Sequence, residues 1–565
     1  MREFTIRAII LGSLLSIIFG AANAYLGLKA GMTVSASIPA ACVSMAILRG
    51  ILKRGTILEN NMVQTIASAG ESLAAGIIFT IPALIFIGLN PTILYIFLTS
   101  LFGGLLGVLF MVTVRKRFIE DEDKELPYPE GRACAEVLKA GDEGGHKAKT
   151  VFEGLISGFV FRFLTIGFKF FPDYFFINLK NKITFSFENS PALVGVGLIL
   201  GKRISFLLLS GGLLGWLVFI PLIGNYIPEA KPLDTHSIWS KYIRYIGAGA
   251  VFAGGLISFI KILVNLIKEK KFFSFRPGEK DLPLSFIVLS VLITYFLISL
   301  LNIFNQNFFT SLLIILFSFI FVVVSSRIVG LVGSSSNPVS GMTIATLFIV
   351  SLLIYIFGGR GIYAMFTSLT IGAFICISAA IAGDISQDLK TGFLLGATPR
   401  LQQIGEIIGV ITSSIFIGFI LFILHKAYVI GSEKLSAPQA TLMSLIVKGI
   451  FEAQFPTQLF ISGVMISIFL EILGISSLPV AVGLYLPLSL STTLALGGVL
   501  SEVIKKKEKG ILLASGFVAG DAISGIILAI IIIIGLPLIS FNVTYPLVGI
   551  LFLTLFLLYT FLRLK

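Results

Sequence analysis

The chain has 565 residues, 56% hydrophobic and 13% charged, and a mean hydropathy of +1.01. A soluble domain of that length needs far more polar surface, and apolar runs of about 20 residues, each enough to cross a ~30 Å hydrocarbon core, recur from end to end. The runs are continuous and not alternating, which excludes a barrel, and the net charge of +13 sits mostly in short connections that orient a membrane protein, so no nucleic-acid partner is expected.

In chain order, Arg2 and Arg7 precede a run that continues through Leu28 without a small-residue cleavage site, which reads as a first span and not a signal peptide. Spans are predicted at 8–28, 32–49, 62–88, 92–114, 150–171, 191–225, 243–268 and 284–303, then at 308–326, 340–358, 363–383, 404–425, 457–474, 480–501, 512–537 and 544–562. The run at 191–225 is too long for one straight span, and Gly201-Lys202-Arg203 interrupts it. The expected fold is an all-α polytopic membrane protein of about 16 transmembrane helices, in two parallel 8-helix repeats with discontinuous helices. The first repeat covers 1–303, with a cytoplasmic loop at 115–149, and the second 304–565. A cytoplasmic N-terminus places Arg49/Lys53/Arg54, Arg115-Lys116-Arg117, Lys505-Lys506-Lys507 and Arg563/Lys565 inside, with Lys268, Lys270, Lys271 and Arg276 as exceptions outside. The acidic stretch Glu120-Asp121-Glu122-Asp123 reads as a solvated loop face. Three cysteines (Cys42, Cys134, Cys376) and three histidines support neither a disulfide scaffold nor a metal cluster.

The repeat shows as phrases recurring in order. Ala69-Gly70-Glu71 returns as Ala382-Gly383-Asp384, and Gly31-Met32-Thr33-Val34 as Gly341-Met342-Thr343-Ile344. Leu126-Pro127-Tyr128-Pro129-Glu130 matches Leu435-Ser436-Ala437-Pro438-Gln439, Pro191-Ala192-Leu193-Val194-Gly195 matches Pro479-Val480-Ala481-Val482-Gly483, and Ala253-Gly254-Gly255 matches Ala519-Gly520-Asp521. An even number of spans per copy puts both halves into the membrane from the same side, related by a pseudo-two-fold axis along its normal.

A charge at a span's centre costs roughly 2.5–3.5 kcal/mol on insertion scales, so such residues face a cavity or one another. Asn61, Gln64, Ser68 and Glu71 follow 3-4-3 helical spacing on one face, as a cavity-lining stripe or as interhelical hydrogen-bonding groups. Its counterpart holds Asp384, Gln387, Asp388 and Lys390, with Lys390 placed to neutralise one aspartate and Asp388 and Lys390 bordering the membrane. Glu406 follows Gln402 and Gln403, and Glu471 and Asp521 are further intramembrane acids. The proton-coupling candidates are therefore Glu71, Asp384, Asp388, Glu406, Glu471 and Asp521. Small polar residues beside helix breakers at 27–39 and 333–343 point either to discontinuous helices holding substrate or to tight helix crossings. They add Lys29, Thr33, Ser35, Asn337, Ser340 and Thr343 to Asn61, Gln64, Ser68, Gln387 and Lys390 as substrate-binding candidates.

Two motifs fail. Gly197-x-x-x-Gly201-Lys202-Arg203 lacks the spacing and hydroxyl of a phosphate-binding loop, so ATP hydrolysis is not expected. Asp384-x-x-x-Asp388 is a single aspartate pair, without the second acidic motif that a membrane prenyltransferase needs.

Longer phrases carry a family resemblance. Ala22-Asn23-Ala24-Tyr25-Leu26-Gly27-Leu28-Lys29, the stretch from Glu59 to Glu71, Pro127-Tyr128-Pro129-Glu130-Gly131, Asn337-Pro338-Val339-Ser340-Gly341 and the stretch from Gly383 to Gly392 resemble the oligopeptide transporter superfamily. The likeness is to its prokaryotic branch, which is similar to the yellow-stripe metal-chelate carriers. It implies a proton-coupled symporter of about 16 spans, with the proton as coupling ion and no other cofactor. Its cargo would be small peptides or, as the alternative, metal–chelate complexes. The expected partners are that substrate and the lipid bilayer of the cell membrane, with a homodimer left open. A third reading, from another class, is an intramembrane metal-dependent lipid-modifying enzyme using Asp384 and Asp388.

Overall fold

The computed structural model describes residues 3–564 apart from 32, 34, 144–145, 179–181, 269–276, 335–336, 338, 433, 453–455, 505–506, 535, 537–540, 542 and 544. Among the described residues, 11 helices are long and apolar enough to cross a membrane. Shorter apolar helices occupy Ser37–Ile51, Leu284–Leu300, Thr457–Ile472 and Leu488–Val503. The chain is a multi-pass helical membrane protein. Its described sheet is one antiparallel hairpin, β1 (Tyr174–Asn178) on β2 (Thr184–Glu188), with Phe176 opposite Ser186; no apolar run announced it.

Contacts divide the chain into two compact units, and each unit draws on both halves of the sequence. The first comprises Met1–Lys149 and Phe259–Gln454, the second Thr150–Ser258 and Phe455–Lys565.

The helices of the first unit are α1 (Ile6–Ala30), α2 (Ser37–Met45), α3 (Ile57–Phe86), α4 (Ile93–Arg115), α5 (Pro129–Glu143), α6 (Leu284–Leu300), α7 (Phe308–Val332), α8 (Val339–Ile356), α9 (Gly361–Leu395), α10 (Pro399–Tyr428) and α11 (Pro438–Glu452). Local chemistry sets their ends. Thr56 and Glu59 form a reciprocal capping box that starts α3, and Asn307 with Thr310 forms another at α7. Gly31 stops α1 at φ 71° and Gly396 stops α9 at φ 74°, a left-handed conformation that glycine adopts without a Cβ clash.

Five helices of one half match five of the other in order. The starts of α1, α2, α3, α4 and α5 are followed by those of α7, α8, α9, α10 and α11 at offsets 308 − 6 = 302, 339 − 37 = 302, 361 − 57 = 304, 399 − 93 = 306 and 438 − 129 = 309. Their contacts are reciprocal. Tyr128 N–H, just before α5, donates to Gly330 O of α7 at 2.8 Å, while Ala437 N–H, just before α11, donates to Leu28 O of α1 at 2.7 Å. Both residues hold positive φ, 49° at Tyr128 and 43° at Ala437. Gln439 then donates to Gly31 O at 3.2 Å, and Glu130 accepts from Ser334. Such an exchange is what a local two-fold relation produces.

That relation corrects the expectation of parallel repeats. Stepping along α3 from Gln64 to Ser72 to Gly76, the neighbours on α9 are Asp388, Asp384 and Ile377, so these equivalent helices run antiparallel. Likewise Gly104 of α4 meets Val410 of α10 while Ile93 meets Gly418. The two-fold axis crosses the helices instead of lying along them. The parity argument fails because an apolar run is not always a crossing: the predicted span 32–49 contains nine α-helical residues, 37–45, and one π-helical stretch, 46–51.

Other expectations shift as well. The predicted span 480–501 is two helices, Ser477–Tyr485 and Leu488–Val503, separated at Leu486-Pro487. The 191–225 run, by contrast, is interrupted where expected, its helix from Pro191 being broken at Gly201 with φ 77°. The segment read as the 115–149 loop holds α5, with Cys134, Val137 and Leu138 buried, and 438–452 holds the buried α11. Met32, Val34, Ser335, Ser336, Pro338, the basic residues at 270, 271 and 276, and Lys505-Lys506 lie outside the described residues.

The second unit packs glycine against backbone. A Cβ on Gly197 would fall 1.9 Å from Leu494 O, and one on Gly497 2.1 Å from Val194 O, so the helices at Pro191–Leu213 and Leu488–Val503 touch main chain to main chain. Lipid tails are as apolar as the helices, so close packing of this kind supplies the association. Phe161, Phe171, Phe175, Phe517 and Phe556 close a core around it.

Candidate functional site

The first unit brings together most of the residues expected to work. On α3, Asn61, Gln64, Ser68 and Glu71 are all buried. Glu71 accepts from Asn23 Nδ2 of α1 and, at 3.2 Å, from the N–H of Ala36. That amide is free for it because the chain between α1 and α2 is not helical at 31, 33, 35 and 36. The break at 27–39 thus gives backbone to a carboxylate. The corresponding α7–α8 break starts at Gly333 and places Asn337, whose Nδ2 donates to Ser325 Oγ at 2.8 Å.

On the opposing helix, Asp384 faces Ser72 and Ser334. Ser72 is next to Glu71 in the chain, so the two acids share one buried region between α3 and α9. Helices α3 and α9 approach closely enough for this because a Cβ on Gly76 would lie 2.4 Å from Ile377 Cα. The two acids of the repeated phrase therefore meet from equivalent helices.

One turn further, Asp388 Oδ1 accepts from Ser37 Oγ at 2.9 Å and from Gln64 Nε2, and Ser37 Oγ lies 3.1 Å from Ser68 Oγ. Gln387 bridges two elements, accepting from Gly131 N–H at 2.6 Å and donating to Val329 O at 2.9 Å. Gln402 of α10 donates to Asp388 O at 3.1 Å and to Thr65 Oγ1 at 3.2 Å. Glu406, one turn on, is 0% exposed.

Asp388 and Lys390 are buried inside one helix. With no breaker before Gly396, α9 runs 35 residues and leaves both side chains 0% exposed. Nor does Lys390 neutralise an aspartate of its own helix. Its Nζ donates to Ile119 O at 2.7 Å and pairs with Asp123. The acidic stretch at 120–123, expected to be a solvated face, is an ion-pair hub. Glu120 pairs with Arg115 at 2.8 Å, Glu122 with Arg117 at 2.7 Å and Arg327 at 2.8 Å, and Asp123 with Arg132 at 2.6 Å as well as Lys390. The Lys390 ammonium beside it holds the Asp123 carboxyl below its ordinary value. Among the described residues no ion pair reaches Glu71, Asp384, Asp388 or Glu406.

The remaining candidates sit elsewhere in this unit or in the other. Lys29 is buried near the end of α1, with its carbonyl 3.1 Å from Ser436 Oγ. Thr33 and Ser35 lie in the α1–α2 break, where Ser35 Oγ donates to Ser37 Oγ at 3.3 Å. Ser340 opens α8, and Thr343 donates to its own helix at Val339 O, 2.8 Å away. In the second unit, Glu471 accepts from Ser477 N–H at 2.9 Å and Oγ at 2.7 Å, which caps the helix starting there. Asp521 pairs with buried Arg162 at 3.2 Å and accepts from Ser190 Oγ and Ala192 N–H at 2.7 and 2.9 Å. Among the described residues no group of three His, Cys, Asp or Glu could hold a metal ion. A separate cavity of about 600 Å³ is lined by Asn302, Asn305, Arg360 and Tyr363, among others, and by none of the carboxylates above.

Asn23, Ser37, Ser72, Glu130 and Ser334 join the site without having been singled out. The signal was present for Asn23, an amide in a run of Ala and Gly, and for Ser37 beside Pro39.

Fold and site together define a polytopic helical membrane protein whose duplicated core carries four buried acids, Glu71, Asp384, Asp388 and Glu406, in no ion pair among the described residues. Comparison with known proteins agrees. The family model described as "OPT oligopeptide transporter protein" matches residues 3–532, and the chain belongs to that family. A Haemophilus influenzae protein named "Putative oligopeptide transporter" is 33% identical over 594 residues, covering 90% of this chain and 92% of its own length. The metal-nicotianamine transporter YSL3 of Arabidopsis thaliana is 24% identical over 505 residues, covering 76% and 73%. A metal-nicotianamine transporter of rice, YSL11, is 24% identical over 513 residues, covering 76% and 70%.

Proposed function

We propose that this chain is a secondary active transporter of the cell membrane that carries small oligopeptides inward with protons. The observation that supports this most is that Asp384 faces Ser72, next to Glu71, across equivalent, antiparallel helices, both acids being buried and, among the described residues, neither in an ion pair. Burial in general disfavours the charged form of a carboxyl group, and two acids in one site disfavour double ionisation, so a proton can be taken up and released there. Glu71 or Asp384 binds a proton from outside, and the neutralised site closes and reopens inward. An inverted relation between the halves of the first unit suits alternating access, because exchanging the conformations of the two copies exchanges the open side.

Peptide is the favoured cargo because the relative named for peptide transport has the higher identity over more of the chain. Metal–chelate complexes are the second reading, supported by the yellow-stripe relatives. The relatives' names are those of carriers, so a lipid-modifying enzyme is not proposed. The basic connections support a cytoplasmic side for the N- and C-termini. The test is uptake of a mixed peptide library into proteoliposomes under an imposed proton gradient, with imported species identified by mass and an iron–chelate complex as competitor. Accumulated tetrapeptides support the reading. Gradient-driven import of the chelate alone replaces it with the second.

A further inference from the structure

Several buried oxygens of the first unit have no donor. Both carboxylate oxygens of Glu406, Oδ2 of Asp388 and Oε1 of Gln64 lack a hydrogen-bond partner among the described residues, as do both polar atoms of Asn61 one turn below Gln64. All four residues are 0% exposed. The orphan groups are neighbours: Gln64 donates to Asp388, Gln402 ties the Asp388 carbonyl to Thr65, and Glu406 stands one turn beyond Gln402 with its charge acting on Asp388. The nearest lysine in sequence, Lys390, is committed to Asp123 and Ile119 O.

Leaving so many acceptors buried and undonated is costly, and an unpaired buried carboxylate costs more than any neutral group. A hydrogen-bond donor cannot be supplied by Gln402, whose amide nitrogen is already used. What can satisfy several neighbouring oxygens at once is a hard cation, which prefers carboxylate and amide oxygen to nitrogen or sulfur. The charge state limits which one. Oδ1 of Asp388 is occupied by two donors, which leaves one oxygen of Asp388, two of Glu406 and one of Gln64, whereas a divalent ion of this kind asks for six to eight oxygens or retained waters. The walls are close: a Cβ on Gly405 would lie 2.7 Å from Met62 Sδ, and one on Gly409 2.4 Å from Ile66 O. We infer that Asp388, Glu406 and Gln64 form a binding site for a small monovalent cation, sodium, in the seam between α3, α9 and α10. Asn61 lines its approach. The site is distinct from the Glu71–Asp384 pair, and it makes sodium a second ion to which this carrier responds.

The test needs no substrate. Thermal unfolding of the purified full-length protein is compared in equal concentrations of sodium, potassium and choline chloride, alongside binding of radioactive sodium. Ligand binding to the native state alone raises Tm by mass action, so the expected result is a saturable, sodium-specific upward shift of about 2 °C or more. Glu406→Gln abolishes that shift, and Gln64→Met weakens sodium binding about tenfold, the loss of one good ligand. Equal shifts in all three salts, or a sodium response intact in Glu406→Gln, overturn the site and show buried water in its place. If either variant fails to fold, radioactive sodium binding to the wild-type protein decides, with no binding counting against. Failure of peptide uptake leaves these results untouched.

Discussion

Asp521 and Glu406 are both carboxylates buried on long apolar helices, and their surroundings are opposite. Asp521, in the second unit, has Arg162 at 3.2 Å, a serine hydroxyl and a backbone amide at the start of the next helix. Glu406, in the first unit, has no donor and no cation among the described residues. Asp521 is held as structural acids are held, in a fixed arrangement of an ion pair and two hydrogen bonds. Glu406, with Glu71, Asp384 and Asp388, sits where the protein bears an electrostatic cost without a local gain in stability. That is the pattern of groups kept for a proton, an ion or a substrate.

The contrast breaks most visibly if its paired half is attacked. Arg162→Met leaves Asp521 buried and uncompensated and is expected to destabilise the protein by about 3–5 kcal/mol, seen as loss of monodisperse protein on gel filtration. The double variant Arg162→Met/Asp521→Leu recovers most of that. A double variant as poor as the single would remove the pair from the structural category. Next in size, Gly76→Val forces α3 from Ile377 of α9 and is expected to cost about 1–3 kcal/mol in thermal unfolding. An unchanged Tm would mean that the two helices are not in backbone contact.

In the unpaired half the sign reverses. Glu406→Gln, in sodium-free buffer, is expected to unfold at the same temperature as wild type or higher, by up to about 1 kcal/mol, because a buried charge without a partner has been removed. A Tm lowered as far as that of Arg162→Met would show a hidden structural partner. The smallest effect concerns Asp123, outside the spans. Its carboxyl is held below the ordinary value by Lys390, so its contribution is present above the unfolded-state pKa of about 3.9 and fades as pH falls through the lower folded value. Asp123 is 39% exposed in its side chain, so Asp123→Asn should cost about 1 kcal/mol or less between pH 5 and 8, converging with wild type only below about pH 4. Convergence near neutral pH would mean that another group sets this dependence.

Much of the site was legible. The recurrence of Gly-Glu and Gly-Asp in matched phrases picked out the acids that meet, and the 3-4-3 spacing picked out the face of α3 that carries them. What stayed hidden has physical causes. The partner of Lys390 is 267 residues away in sequence, and helical spacing sees only neighbours. α5 is amphipathic and polar on average, so a search for long apolar runs passes over it, while Pro129 and Pro438 at the starts of α5 and α11 looked like loop residues. The antiparallel relation depended on counting crossings. A nine-residue helix after Gly31 looks, in hydropathy alone, like a span.

The most direct test is acid-driven accumulation of a transported peptide in proteoliposomes containing wild type, Glu71→Gln or Asp384→Asn. Both variants should fold, exchange peptide across the membrane at equal pH on the two sides, and lose at least about tenfold of the accumulation driven by a proton gradient, the effect of removing one protonation step worth ~1.4 kcal/mol or more. Accumulation at the wild-type level in both variants would contradict the assignment of these two acids to proton coupling.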